Sequence, residues 1–174
     1  MRFVVQLQHW LRINKEQMKV RMFNWFKKNN PPAVAPASDR ETVQYLIVRQ
    51  DLEMSAGKMS AQAAHASSSV VCAHFGFLRG LRGAEHLINY LPAFRQWQER
   101  SFAKVVLRVK TRDQLLQLCD ELDGLKIPYA PIFDACRTEL VPEEPNGSVL
   151  TCIGLTPLFR DEIPKCLQKL QVFK

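Results

Sequence analysis

The run "GKMSAQAAHA", Gly57 to Ala66, sets a lysine, a glutamine and a histidine among small residues. Lys58 and Gln62 are four apart and Gln62 and His65 three apart, so on a helix all three share one face, which Ser69 continues. A cation, an amide and an imidazole in a row can hold an anion, orient a water or move a proton. The same spacing also makes a plain polar outer face, with Ala63, Ala64, Ala66, Val70 and Val71 on the side that packs. A second group lies in "FDACRTEL", residues 133–140, where Asp134 follows an apolar run and Arg137 and Thr138 come just after it. Ligand sites of open α/β sheets gather outside the carboxyl ends of strands, although an Asp there can also simply cap a turn. Together the two segments can bring Lys58, His65, Asp134 and Thr138 into one cleft: a cation, an imidazole, a carboxylate and a hydroxyl, a set suited to acyl transfer to water. There is no GxSxG elbow and no cysteine with an evident histidine partner, which favours water over a covalent nucleophile. "SAGKMS" lacks the upstream glycine of a phosphate loop and has Met59 where that loop needs Ser or Thr. Cys72 and His74 sit two apart without a second pair at ligand spacing, so no metal is expected.

The elements that must position these residues alternate. "TVQYLIVR" (42–49) is a continuous apolar run rich in β-formers, the mark of a buried strand, and a helix is expected from about Lys58 through Val71 or beyond. Residues 75–86, with three glycines, read as an irregular connection, and 87–99 as a helix. "FAKVVLRVK" (102–110) is the second strand; "TRDQLLQLCDELDGL" opens on a Thr or Asp cap and makes a helix closed at Gly124. "IPYAPIFD" is a third strand, "SVLTCIGLT" (148–156) a fourth, and 160–170 a last helix. Strands separated by helices predict an α/β fold, a three-layer α/β/α sandwich around a mixed sheet of about four strands.

The charge is uneven. The chain carries +7 overall, but residues 1–28 hold seven Lys/Arg and one acid, leaving 17 Lys/Arg against 16 Asp/Glu beyond them. Overall basicity is therefore no argument for nucleic-acid binding by the rest of the chain. Residues 1–28 predict a basic amphipathic helix, with Trp10, Leu11, Trp25 and Phe26 beside Arg12, Lys27 and Lys28, suited to a membrane surface, a targeting role or a protein partner. Residues 29–41, Pro- and Ala-rich, predict a linker, and 42–174 the globular domain. Five widely spaced cysteines without a CxxC point to a reduced intracellular setting.

"YLIVRQDLEMSAGKMSAQAAHA", "KVVLRV", "DACRTEL" and "VLTCIGLTP" closely resemble, in order and over roughly residues 43–174, the archaeal- and eukaryotic-type (second) family of peptidyl-tRNA hydrolases. That family shows D-L-x-M-x-x-G-K-x-x-A-Q-x-x-H-A, then a D-A-G-R-T loop and a V-L-x-I-G strand. The resemblance implies hydrolysis of the ester between a peptide, or an N-blocked amino acid, and the 3′-terminal ribose of tRNA, with no metal or organic cofactor. It implies Lys58, His65, Asp134 and Thr138 as catalytic residues and Gln62 and Arg137 as substrate-binding ones, to which the substrate's phosphates add Arg49. In this reading Asp134 orients or deprotonates the water with help from His65 or Thr138, and Lys58 stabilises developing negative charge or a terminal phosphate. Gln62 and Arg137 position the CCA end or hold the loop, and Arg49, Lys104 and Arg108 are candidates for the phosphates. tRNA is the expected partner, a homodimer is plausible, and the cytoplasm is the expected location, with organelle targeting or membrane periphery through residues 1–28 as the alternative. Two features depart from the pattern: Cys136 stands where the family has a glycine, and 75–91 reads as an insertion. A catalytically weak relative that binds tRNA or a protein is the alternative function, and an esterase acting on D-aminoacyl or similar tRNA esters a third.

Overall fold

The computed structural model describes residues 39–77 and 80–173; the expected helix over 1–28 and most of the expected linker over 29–41 lie outside them. Strand β1 (Thr42–Arg49) is buried along its whole length and forms the middle of the sheet. It is followed by helix α1 (Ala56–His74), then by a 3-10 turn (Ala84–Tyr90), helix α2 (Leu91–Gln96) and a π turn (Trp97–Ser101). β2 (Lys104–Val109), α3 (Arg112–Gly124), β3 (Tyr129–Asp134) and β4 (Val149–Leu155) come next. The two-residue strands β5 (Leu158–Phe159) and β6 (Gln171–Val172) flank α4 (Lys165–Gln168).

The order across the sheet is β3-β4-β1-β2-β6, with β5 paired to the start of β1. β1 and β2 are parallel, and β4 is antiparallel to both β1 and β3, so β1, β2 and β3 all end at one edge of the sheet. Strand alternation then sorts the core into two layers. Tyr45, Ile47, Leu107, Val109 and Ile153 face α3 and α4 through Leu115, Leu118, Leu122 and Leu167. Leu46, Val48 and Cys152 face α1 at Ala66. The chain is thus an open mixed α/β sheet with helices on both faces, as expected for a three-layer sandwich.

Three local differences stand out, and two have simple causes. The sheet gains β5 and β6 beyond the four expected strands, because two-residue edge pairings leave no period-two pattern to read. The helix expected over 160–170 is reduced to α4, since Pro164 follows a short 3-10 turn and sits before the first helical residue, where a missing N–H does no harm. The helix expected over 87–99 is split among a 3-10 turn, α2 and the π turn.

Candidate active site

Helix α1 can lie against the sheet because of one glycine. A Cβ on Gly154 of β4 would stand 2.6 Å from the Ala66 carbonyl oxygen and 3.0 Å from the Ala66 Cβ. Only a hydrogen at 154 and a small side chain at 66 permit that approach. α1 starts at Ser55, whose Oγ accepts from the Lys58 backbone N–H at 3.3 Å. Ser55 in turn donates from its N–H (2.9 Å) and its hydroxyl (3.1 Å) to Glu139 Oε1, which ties the start of α1 to the loop after β3.

Asp134, the last residue of β3, points to the α1 side of the sheet and is 11% exposed. Lys58 Nζ lies 2.7 Å from its Oδ2 and donates to Thr138 Oγ1 at 3.1 Å. Gln62 Nε2 donates to the same Oδ2 at 2.8 Å, while the Cys136 backbone N–H donates to Oδ1 at 2.8 Å. Partial burial opposes ionisation of Asp134, but the Lys58 ammonium, the Cys136 N–H and the Gln62 amide together outweigh it and hold the carboxyl below its usual range. At neutral pH the pair is therefore a carboxylate and a cation in contact. Among the described residues Oδ1 accepts from one donor, which leaves it a lone pair for water.

The orientation of Gln62 is fixed from behind. Its Oε1 accepts from Thr151 Oγ1 at 2.8 Å. Thr151 and Cys152 both turn toward α1, Cys152 Sγ reaching the Gln62 carbonyl at 3.5 Å, because the β3–β4 register shifts between Ile132 and Phe133 and the bulge breaks the alternation. Thr151 has no role in the sequence reading; its one signal is a hydroxyl inside an otherwise apolar buried strand. Burial pushes the Cys152 thiol up to about 12, so it stays protonated.

The remaining expected residues fall in different places. His65 is on α1 one turn beyond Gln62 but exposed, and among the described residues it makes no hydrogen bond or ion pair. Arg137 is exposed in the loop after β3. Arg49 is 2% exposed, and all five of its N–H groups are used inside the fold. It grips Asp51 through Nε (3.1 Å) and Nη2 (2.7 Å), Glu143 through Nη1 (2.6 Å) and Nη2 (2.8 Å), and the Leu150 carbonyl (3.0 Å). It has no donor left for a phosphate. Alternation explains this, since Arg49 follows Val48 and so faces away from α1. Lys104 lies at the opposite edge of the sheet, at the start of β2, over the Phe102 and Trp97 rings. Arg108 bonds Gln171 of β6.

Cys136, in the family's glycine position, has φ 51°, the left-handed conformation that glycine adopts freely. Its Cβ costs about 1 kcal/mol there, but the N–H that caps Asp134 is in place. His74 is buried, hydrogen-bonded to Thr156 Oγ1 at 2.8 Å and stacked on Phe94, and no three potential ligands cluster among the described residues.

Residues 42–173 match the family model described as peptidyl-tRNA hydrolase PTH2. A curated relative named peptidyl-tRNA hydrolase from Haloquadratum walsbyi is 33% identical over 130 residues, covering 75% of this chain and 98% of the relative. Relatives of the same name from Methanopyrus kandleri (32% over 131 residues, 75% and 97%) and Methanococcus vannielii (31% over 129 residues, 74% and 97%) are similar to nearly the same extent. With the Lys58–Asp134 pair standing where the strands end, and a match that runs from β1 to the last described residue, the chain belongs to the peptidyl-tRNA hydrolase PTH2 family.

Proposed function

We propose that this chain hydrolyses the ester joining a peptide, or an N-blocked amino acid, to the 3′-terminal ribose of tRNA, releasing the peptide as a carboxylate and the tRNA with a free hydroxyl. The observation that carries this reading is the Asp134 carboxylate held by Lys58 and Gln62 at the strand ends, in a chain of this family. Attack of water on the ester carbonyl develops negative charge on the carbonyl oxygen, and Lys58, a fixed cation at the site, supplies the stabilisation that charge needs. Asp134 keeps Lys58 in position and orients the water through the open lone pair of Oδ1. Held in its low range, the carboxylate is a weak base on its own. His65, exposed on the same helix, takes the proton from the attacking water and can pass it to the leaving ribose oxygen. Thr138 bonds Lys58, Gln62 orients Asp134, and Arg137, exposed in the loop after β3, contacts the CCA end in this reading. The reading is tested by incubating purified protein with N-acetyl-aminoacyl-tRNA. Release of free tRNA supports it, and a gel shift of tRNA without any turnover replaces it with a binding module.

The same proposal takes residues 1–28 as a contact for a membrane surface or a protein partner, attached to a cytoplasmic enzyme. Among the described residues no helix is long and apolar enough to cross a membrane. Deleting residues 1–38 and fractionating cells tests it: a redistributed protein supports the contact, and an unchanged distribution removes it.

A further inference from the structure

Among the described residues β3 is the outermost strand on its side of the sheet, and on its outer side only its first residue is paired. There the Arg82 N–H donates to the Tyr129 carbonyl at 2.9 Å and the Tyr129 N–H to the Arg82 carbonyl at 3.2 Å. Backbone groups two residues apart along a strand point the same way, so the Pro131 carbonyl and both the N–H and the carbonyl of Phe133 also face outward. The inward set agrees, since the Pro128 carbonyl accepts from the Thr156 N–H at 3.0 Å and the Ile132 carbonyl from Thr151 Oγ1 at 3.1 Å. Among the described residues no backbone or side-chain hydrogen-bond partner reaches the three outward groups. Pro131 has no N–H to leave bare, as suits an edge strand, and the Phe133 ring is 52% exposed beside the edge. The open run, Pro131 to Asp134, is about 13 Å long at the rise of a strand. It ends on the carboxylate of the site.

We propose that this edge receives the peptide moiety of the substrate as an added strand, an inference that rests on the ester-hydrolase reading above. With its esterified carboxyl end at Asp134, a peptide lying along Pro131–Asp134 runs in the same direction as β3 and extends the sheet in parallel. The Pro131 and Phe133 carbonyls accept N–H groups from peptide residues two apart, and the Phe133 N–H donates to a peptide carbonyl. Main-chain pairing reads no side chain, so the subsite accepts any sequence that can extend. The Phe133 ring offers apolar surface to whichever side chain falls on it. The Arg82 bridge closes the edge at Tyr129, which limits the subsite to about four residues.

The test compares acetyl-tetraalanyl-tRNA with acetyl-alanyl-tRNA on the full chain. The longer substrate is expected to show a kcat/KM higher by about fivefold or more, the worth of one or two net hydrogen bonds. N-methylation of each internal amide in turn is expected to lower kcat/KM at two amides two residues apart and to spare the amide between them. F133P, which removes an outward N–H that the sheet does not use, is expected to bring the ratio of the two substrates toward one. F133A removes the ring alone and is expected to keep the alternating amide pattern, which holds the test open if F133P does not fold. Equal rates for the two substrates together with a flat amide scan overturn the subsite and leave the hydrolase reading intact. No turnover of either substrate overturns both. If F133P instead dissociates a dimer in light scattering while the amide scan is flat, the edge serves a second copy and the proposal is wrong.

Discussion

Asp134 is held by three donors: Lys58 and Gln62 on Oδ2, and the Cys136 N–H on Oδ1. The last of these comes from a non-glycine residue at φ 51°, so a strained backbone supports the carboxylate. Cys136→Gly removes the Cβ strain and adds freedom to the unfolded chain, two effects of opposite sign and each about 1 kcal/mol or less. Stability by urea titration is therefore expected to change by less than about 1 kcal/mol, and the hydrolysis rate to stay within about threefold. A rate gain of tenfold or more would show that the cysteine distorts the loop. At this scale the sequence is partly legible. Helical spacing puts Lys58 and Gln62 on one face, and both meet Asp134. It cannot give depth: Gln62 is buried while His65, three residues on, is exposed, because what covers each position is set by β3, β4 and their loop. Thr151 escapes notice for a related reason, since a bulge re-aims it and a bulge is invisible to a period-two reading.

α1 is the element on which the site depends, and its seat is the Gly154–Ala66 contact. The motif strand "VLTCIG" and the motif residue Ala66 are thus explained by one close approach, although the sequence shows only that small residues line one side of the helix. In Gly154→Ala the new Cβ meets helix backbone that cannot swing aside, so α1 must shift and carry Lys58 and Gln62 away from Asp134. We expect a loss of about 1–3 kcal/mol in stability together with a fall in kcat, read from thermal melts and single-turnover rates. The far end of α1 gives a pH signature. Burial lowers the His74 pKa to about 4, whereas the unfolded chain titrates near about 6.5. Between these values the unfolded state binds more protons, so stability declines as pH falls from about 6.5 to about 4, by on the order of 3 kcal/mol in all. His74→Gln, which can still bond Thr156 and does not titrate, is expected to flatten that decline in urea midpoints compared at pH 7 and pH 4.5. An unchanged slope would place the acid sensitivity elsewhere.

Across the whole molecule, two clamps hold the halves of the site together. Glu139 joins the loop after β3 to Ser55, and Arg49 joins the end of β1, through Asp51 and Glu143, to the segment that leads into β4. The bond to Arg49, working against partial burial, holds the Glu143 carboxyl below its usual range. Arg49→Met leaves Asp51 without its cation and Glu143 with Arg112 at 3.6 Å alone, both acids being about one-third exposed. The expected cost is on the order of 2–3 kcal/mol, below that of a fully buried pair because water reaches both acids. Guanidinium chloride unfolding measures it, and a Met variant as stable as wild type would remove the clamp from the account. The layer order and the motif positions are legible from alternation of strand and helix, because each element buries one face. The six-strand count and the fate of Arg49 are not, because pairing at sheet edges and side-chain partnership between distant loops depend on contacts far apart in sequence.

If the Lys58–Asp134 pair serves ester hydrolysis on tRNA conjugates, as proposed, removing the charge of Asp134 must slow the reaction without loosening tRNA. The most direct measurement is the single-turnover rate of tRNA release from N-acetyl-aminoacyl-tRNA by wild type and Asp134→Asn side by side, with tRNA affinity measured on both. Wild type is expected to release tRNA, the variant to be slower by about a hundredfold or more, and the affinity to stay within a few-fold. Equal rates in the two proteins would contradict the proposed role.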